Sequence, residues 1–239
     1  MSIGRILLLL GFFLLLALLL SLGQWQLRRA AEKEALFKQI GAAEDFPALT
    51  APIENQLFET NRYRWVTLRG RYDSSRQLLL DSMIYEGRAG YQVLTPFLPL
   101  NSQRWLLVNR GWVAADPDRE VLPQVAVSGE IRSVRGRINS LPRPGLKLQA
   151  AIPEDVVRWP QVVLFPGIED LERLLGESLY SYQIWLDSSS PEGFIRAWDP
   201  TVLTPEQHIG YAFQWFALAG ALVVMASVLG VSSVRRDKN

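Results

Sequence analysis

The 239-residue sequence has no cysteine and a single histidine, His208, and these two shortages exclude most reactive sites. Without cysteine there are no disulfides, thiolate metal sites or cysteine nucleophiles. Most zinc sites need several histidine or cysteine ligands. A Ser-His-Asp site needs a histidine base, and the single histidine here lies at the edge of a long apolar run. No Walker or dinucleotide glycine pattern is present either. The sequence therefore predicts a protein that is not an enzyme and has no catalytic residues.

An excess of one charge is also lacking, because 25 Lys and Arg residues stand against 24 Asp and Glu residues. No dense basic run occurs, so nucleic acid is not expected as a partner. What the sequence does have is a long apolar run at each end, about long enough to cross the ~30 Å hydrocarbon core of a bilayer. We predict transmembrane helices at residues 6–23 and 209–231. A cleaved signal peptide is the alternative for the first run, since Ser21-Leu22-Gly23 resembles a small-x-small cleavage site.

The flanking charges predict the orientation of these two helices. Positive residues near a span favour the cytoplasmic side. They precede the first span and follow the second, at Arg5, Arg235, Arg236 and Lys238. We therefore expect cytoplasmic tails at residues 1–5 and 232–239 and a periplasmic domain at 24–208. The first span begins too early to leave room for a transit peptide, which favours the bacterial inner membrane over the mitochondrial one.

The region between the two spans has the pattern of a β-rich domain. Residues 24–40 are good helix formers and predict a helical stalk that ends near Gly41 and Pro47. Ile168–Gly176 predicts a short amphipathic helix with Gly176 as its terminator. The predicted strands are Arg64–Tyr72, Gln77–Asp81, Tyr91–Leu98, Arg104–Val108, Val125–Val134 and Tyr182–Leu186. The expected fold class is an α+β membrane protein, with two terminal transmembrane helices flanking one mainly antiparallel β domain with minor helix; barrel and open sheet both stay possible.

The start of the second span carries the first candidate site. At 100° per residue one stripe of this helix contains His208, Tyr211, Ala212, Trp215, Ala219 and Leu222. A neutral imidazole is a good ligand for haem iron, and an aromatic and alanine stripe could take the flat face of a macrocycle. By spacing alone the favoured reading is an aromatic interfacial belt. Small-xxx-small spacing at Ala217 and Ala221 favours packing on the first span, to which Gln214 is expected to hydrogen-bond.

The second candidate lies in Val108-Asn-Arg-Gly-Trp112, where a predicted strand ends at a glycine. Gly111 is expected to need a positive φ or a close backbone approach. Arg110 beside Trp112 could present a cation and a flat ring to a partner or to a propionate-like anion. A tight turn with a core tryptophan is the favoured alternative.

Taken in order, short motifs along the whole chain resemble the surfeit-locus-one family of cytochrome c oxidase assembly factors, bacterial type. They are Leu22-Gly-Gln-Trp-Gln26 with Arg28 or Arg29, Gly70-Arg-Tyr72, Gly90-Tyr91 through Thr95-Pro96, Val108-Asn-Arg-Gly-Trp-Val113, and His208-x-x-Tyr-Ala-x-x-Trp-Phe216. Two positions depart from the family pattern. Glu206-Gln207 stand where an asparagine commonly precedes the histidine, and Ala114 stands where a proline usually follows Val113. Gly23 lies inside a family motif, which favours a retained first span.

The resemblance implies an integral membrane factor that helps deliver haem a to the catalytic subunit of a haem–copper oxidase. It implies His208 as the transient haem iron ligand, and we expect Tyr211 and Trp215 to form the pocket walls. Arg110, Gly111 and Trp112 are expected to contact a partner or a propionate. Expected partners are the oxidase catalytic subunit, haem a synthase and the lipid bilayer. The alternative is a cofactor-free scaffold that holds an oxidase subunit during assembly.

Overall fold

The computed structural model describes residues 3–142, 158–198 and 203–236, with side chains described as far as residue 230. Two compact units are present. One combines the residues up to Gln39 with those after Asp199, and the other is Ile40–Asp199. The predicted C-terminal tail lies partly outside the described residues. The boundaries predicted at 23/24 and 208/209 concern entry into a membrane and stay predictions.

Two long helices contain the two predicted spans. Helix α1 is Ile3–Glu44 and helix α4 is Pro205–Arg236. Both are long and apolar enough to cross a membrane. The 42 residues of α1 correspond to about 63 Å, roughly twice the hydrocarbon core of a bilayer. The predicted stalk is therefore a direct continuation of the first apolar run, in one unbroken helix that ends between the predicted stops.

A narrow face of α1 is buried, while Leu27 and Phe37 are exposed. Between residues 19 and 30 the buried residues are spaced four and three apart, at Leu19, Gly23, Gln26 and Ala30; Ala43, near the end of the helix, is also buried. This 3.5-residue spacing is typical of helices that pack side by side at a shallow angle.

The second unit is a β-barrel with attached elements. After a 3₁₀ turn at Asn55–Leu57 and the short helix α2 at Phe58–Asn61, the strands are β1 Trp65–Tyr72, β2 Leu78–Tyr85, β3 Arg88–Pro99, β4 Trp105–Ala114, β5 Ile131–Asn139, β6 Gln161–Val163 and β7 Leu179–Leu186. The strand order is β1-β5-β7-β4-β3-β2-β6, and β1 also pairs with β3. That pairing closes five strands into a ring. Most pairs are antiparallel, as predicted; β4 with β7 and β2 with β6 are parallel.

Closure of the barrel depends on a glycine. Gly70 of β1 pairs with Pro99 of β3, and a Cβ at position 70 would lie 2.2 Å from the carbonyl oxygen of Leu98. Inside the ring the alternate side chains of the strands form one apolar cluster, which includes Leu68, Phe97, Val108, Ile138 and Ile184. Glycine at this crossing lets the two backbones approach closely enough for the interior to fill.

Helix α3, Ile168–Leu175, packs on the outside of the barrel. Its buried Leu171 and Leu175 join Leu80, Leu94 and Leu107 in a second apolar cluster. The helix ends where predicted, because Gly176 adopts a left-handed conformation at φ +70° and donates its N–H to the carbonyl of Glu172. The alternating pattern of the strands and the 3.6-residue pattern of α3 therefore both point their apolar faces to the observed clusters.

Several predicted strand boundaries differ from the structure, and one strand was not predicted. Strand β4 continues through Gly111 to Ala114 instead of ending at the glycine. Strand β5 begins at Ile131, not Val125, because the carbonyls of Val125 and Ala126 accept hydrogen bonds from a guanidinium and not from a neighbouring strand. The parallel strand β6 was missed, since three residues are too few for a periodic signal.

Gly111 has the unusual backbone that the sequence predicted. Its φ is +111°, and a Cβ there would lie 2.6 Å from the carbonyl oxygen of Ile195. Ile195 and Trp112 exchange backbone hydrogen bonds of 2.7 and 3.1 Å, so the segment after β7 is fixed against β4 at this point. The glycine provides both the conformation and the space that this contact needs.

We predict that Gly111→Ala destabilises the protein by more than about 2 kcal/mol, because the methyl group adds a backbone clash to the strain of a positive φ. The measurement is chemical unfolding of the detergent-solubilised full chain, followed by near-UV circular dichroism. Gly41→Ala is the matched control, since Gly41 lies in α1 with no atom within 4 Å of the added carbon. Equal stability of the two variants would contradict this account of Gly111.

A carboxylate turn connects the barrel to α3. Asp73 follows β1 and accepts hydrogen bonds from the backbone and hydroxyl of Ser75, at 2.9 and 2.7 Å. Arg76 pairs with Asp73 and reaches across to the last-turn carbonyl of Leu175 and to Glu177. Burial acts to raise the pKa of Asp73, but the hydrogen bonds from Ser75 and Arg76 and the charge of Arg76 outweigh it, so the pKa is lowered.

We predict that this turn makes stability depend on acid pH. Because the pKa of Asp73 is lower in the folded state, its contribution is fully present above about pH 4 and disappears as the pH falls through the folded pKa. Asp73→Asn should therefore cost about 1 to 2 kcal/mol at pH 7 and progressively less under acid conditions. Unfolding curves between pH 3 and pH 7 measure this, with the exposed Asp45→Asn as control. A pH-independent difference would count against the ion pair.

Candidate functional site at the start of the second long helix

The start of α4 is fixed by a capping box. The side chain of Thr204 accepts from the backbone N–H of Gln207 at 3.4 Å, and the amide of Gln207 accepts from the backbone N–H of Thr204 at 2.8 Å. Pro205 occupies the first helical position, where its missing N–H costs nothing. The Thr-x-x-Gln signal was available in the sequence and was missed. It gives a structural role to Gln207, one of the two residues that depart from the family pattern.

One turn into α4, the only histidine is buried against α1. His208 is 5% exposed, and its Nδ1 lies 2.7 Å from the amide oxygen Oε1 of Gln26, which is 9% exposed. No other hydrogen bond to the imidazole is present within the described ranges. A neutral imidazole that faces an amide oxygen, which can only accept, donates from Nδ1 and keeps the lone pair on Nε2. Gln26 is the last residue of the motif Leu22-Gly-Gln-Trp-Gln26, and the sequence alone predicted no role for it.

The predicted stripe on α4 exists, but most of it is turned away from solvent. Ala212 and Ala219 are buried with His208, and Trp215 is half-buried. Tyr211 is 43% exposed and lies at the edge of this face. The stripe therefore brings Trp215 and the alanines into line with the histidine, whereas the tyrosine points outward. These positions are again spaced four and three apart, which matches the spacing on α1.

A close approach of the two helices lies about two turns along α4 from His208. A Cβ at Gly23 would lie 2.6 Å from the ring of Phe216, so only glycine fits there without movement. The small residues predicted at this interface, Ala217 and Ala221, are exposed instead. Gln214, predicted to bond the neighbouring helix, is also exposed; the interhelical hydrogen bond is made by Gln26 and His208. The helical spacing of small residues was predicted correctly, but the pair chosen for the contact lies outside the buried face of α4.

The donor set suits a haem iron better than a bare metal ion. Among the described residues no three His, Asp or Glu side chains are grouped to hold a metal. A free divalent ion would therefore find one protein ligand, whereas haem iron already has four from its macrocycle and needs only an axial one. A crevice of about 330 Å³ also opens at this end of the helices, lined by Glu34, Phe37, Lys38, Thr204, Pro205 and Glu206. An imidazole nitrogen is a donor that haem iron accepts, although His208 itself does not line this crevice.

The second candidate, Arg110, lies inside the barrel unit and is 3% exposed. Its guanidinium donates to the carbonyls of Glu192 and Val125 at 2.9 and 2.8 Å, with longer contacts to Thr95 and Ala126. The ring of Phe194 lies 5.1 Å from the guanidinium carbon. Burial lowers the pKa of Arg110 from its usual value. These hydrogen bonds hold two loops against β4, so the guanidinium has a structural role.

Its neighbours in the motif are also built into the fold. Trp112 is 7% exposed, donates its indole N–H to the carbonyl of Met83 at 2.9 Å, and covers Gly90, whose Cβ would lie 2.5 Å from the ring. Gly111 supports the strand contact described above. This agrees with the alternative of a core tryptophan. Neither side chain is held open toward a partner in this structure.

We predict that Arg110→Met destabilises the protein by about 3 kcal/mol, because it leaves the carbonyls of two loops without donors. Arg69→Met is the matched control: Arg69 is exposed and makes no ion pair within the described part of the chain, so its loss should change stability by less than about 0.5 kcal/mol. Unfolding in detergent measures both. If the Arg110→Met protein is as stable as wild type, Arg110 has no structural role, and the partner contact predicted from the sequence is again the favoured role.

Comparison with known proteins extends over most of the chain. Residues 13–220, from the first apolar run through the start of α4, match the SURF1 family. Surfeit locus protein 1 of Takifugu rubripes is 24% identical over 235 residues, covering 90% of this chain and 95% of that protein. The SURF1-like protein of Rickettsia conorii is 25% identical over 221 residues, covering 89% and 87%. The matched range includes Gly23, Gln26, the barrel and His208. The chain therefore belongs to the SURF1 family, whose members are assembly factors for cytochrome oxidase and not enzymes.

Proposed function

We propose that this assembly factor carries haem, with Nε2 of His208 as an axial ligand to the iron. The observation that supports this most is the buried imidazole at the start of α4, with Nδ1 bonded to Gln26 and no hydrogen bond to Nε2 among the described residues. Protein-bound imidazoles that ligate metals commonly donate their other ring N–H to an acceptor, which is the arrangement found here. Haem would supply the iron, and His208 would hold it through Nε2.

The surroundings of His208 support an apolar cargo. Trp215 and Ala212 flank it on the same stripe, and Tyr211 stands exposed beside it. The ring is only 5% exposed, so a flat macrocycle reaches Nε2 only when neighbouring side chains move aside. Such a site would load and release its cargo with a rearrangement of the helix pair, which suits a transient carrier. In this proposal Tyr211 and Trp215 form the walls of the opened site.

The direction of delivery is part of the proposal. Basic residues at both ends of the chain favour cytoplasmic tails, which would put His208 at the outer face of a bacterial inner membrane and the barrel in the periplasm. The acceptor would be the catalytic subunit of a haem–copper oxidase, the cargo haem a, and the supplier haem a synthase. These three identities rest on the resemblance to the family, and the two apolar helices are consistent with a membrane-bound cargo.

The cofactor-free scaffold makes a different prediction about the purified protein. It expects no haem in any preparation. A loss of oxidase assembly in Arg110 variants would not distinguish the two functions, because Arg110 supports the fold itself. The optical spectrum of the protein is therefore the deciding measurement.

We predict that His208→Ala, purified in detergent from cells that make haem a, loses the haem absorption of the wild-type protein. Gln214→Ala is the control, since Gln214 is an exposed polar residue on the same helix. Added imidazole should restore part of the spectrum to His208→Ala by filling the vacated axial position. Identical haem spectra in wild type and His208→Ala would refute the ligand, and a haem-free wild type would favour the scaffold.

A further inference from the structure

Gln26 is a buried amide on α1, 9% exposed. It lies on a helix whose buried face is otherwise apolar nearby, at Leu19, Gly23 and Ala30. A buried amide in such surroundings is costly unless it is hydrogen-bonded. Its one described partner is His208, 182 residues away in the sequence. The pair is thus a specific long-range contact between two helices that otherwise pack through apolar and small side chains.

We propose that Gln26 is the positioning residue of His208: it selects the imidazole tautomer that presents Nε2 and tunes the strength of that nitrogen as a ligand. The second half of this inference rests on the proposed haem function; the first half does not. In the neutral ring the amide oxygen accepts a hydrogen bond from the Nδ1–H, with 2.7 Å between Nδ1 and Oε1, and this leaves the lone pair on Nε2. Without this acceptor either ring nitrogen can hold the proton, and the ring is free to rotate.

The helix contact at Gly23 keeps Gln26 in place. Gly23 lies three residues before Gln26, on the same face of α1, and its missing side chain lets the ring of Phe216 approach to within van der Waals contact of the backbone. Phe216 lies eight residues after His208 on α4, so the glycine contact and the amide contact together define how the antiparallel helices align. A slip by one residue would rotate the amide away from the imidazole.

An amide, rather than a carboxylate, has a physical consequence at this position. It accepts a hydrogen bond from Nδ1–H without adding a charge to an apolar helix pair, where an ionised group would be costly. It is also a weaker acceptor than a carboxylate, so it gives the imidazole less negative character. Gln26 thus fixes the geometry while leaving Nε2 a moderate donor, which suits a ligand that must let its cargo go.

The tautomer can be tested without haem, because the chain contains a single histidine. The full-length protein, labelled with ¹⁵N-histidine in detergent, should give one pair of ring nitrogen signals, with Nδ1 protonated and Nε2 unprotonated. In Gln26→Leu the signals should change to a tautomer mixture. Gln24→Leu is the matched control, since Gln24 is an exposed amide on the same helix. A wild-type pattern in Gln26→Leu would overturn the proposal.

The tuning is tested by titration of the same proteins with haemin. Gln26→Leu should weaken haemin binding about 10- to 100-fold, as loss of a group that orients a metal ligand commonly does. Gln26→Glu, which keeps an acceptor of greater strength, should retain tight binding and lower the midpoint potential of the bound haem. It should also shift the electron paramagnetic resonance g values of the ferric form. Gln24→Leu should change none of these.

The outcomes separate this proposal from the proposed function. If wild type and His208→Ala bind haemin equally, the ligand assignment fails, while the nitrogen spectrum still decides the role of Gln26. A purely structural clamp predicts lower thermal stability of Gln26→Leu with unchanged potential and g values in Gln26→Glu, and that result would reject the tuning. If Gln26→Leu fails to fold, Gln26→Glu decides alone: an unshifted potential overturns the proposal.

Discussion

A polar group removed from water must have a hydrogen-bond partner, and this constraint organises both units of the protein. In the helix pair this constraint pairs His208 of α4 with Gln26 of α1. Apart from this polar contact, the described contacts between the two helices are made by apolar and small side chains. In the barrel unit it commits Arg110 to carbonyls of two loops, which fastens these loops to β4. Each contact joins residues far apart in the sequence. Each therefore defines an arrangement of elements that apolar burial, which is non-directional, would leave less specific.

His208 is the residue to which the family resemblance assigns haem binding, and the contact between α1 and α4 defines its surroundings. A histidine at the mouth of an apolar helix is by itself an ordinary interfacial residue. What distinguishes His208 is its burial, its single described partner, and the absence of other metal-binding side chains grouped with it in the described residues. In the proposed function this one protein nitrogen suffices, because haem would bring the other ligands of its iron. The capping box at Thr204 fixes the start of α4, and the glycine at position 23 lets α1 and α4 approach closely.

In the barrel unit the most distinctive residues support the fold. Gly70, Gly90 and Gly111 each lie where another backbone or a tryptophan ring occupies the space of a Cβ. The motif around Arg110 looked like a contact surface because it combines a cation with an aromatic ring, the composition of many interfaces. Its burial explains the same composition in structural terms. Defects caused by changes in this motif are therefore expected to act through stability first.

The sequence by itself determined the two apolar helices, the β-rich character of the region between them, the amphipathic helix α3 with its terminating glycine, and the position of the single histidine, His208, at the start of the second apolar run. These depend on local periodicity and composition, which are readable along the chain. Only the tertiary structure decided that five strands close into a ring. It also decided that β5 starts after the carbonyls that accept hydrogen bonds from Arg110, and that Gln26, not Gln214, makes the hydrogen bond between the helices. Those outcomes depend on which distant groups meet, and a helical period gives the spacing of a buried face but not which polar residue on it finds a partner. His208 was visible from the sequence; the residue that orients it became visible only when the two helices were brought together.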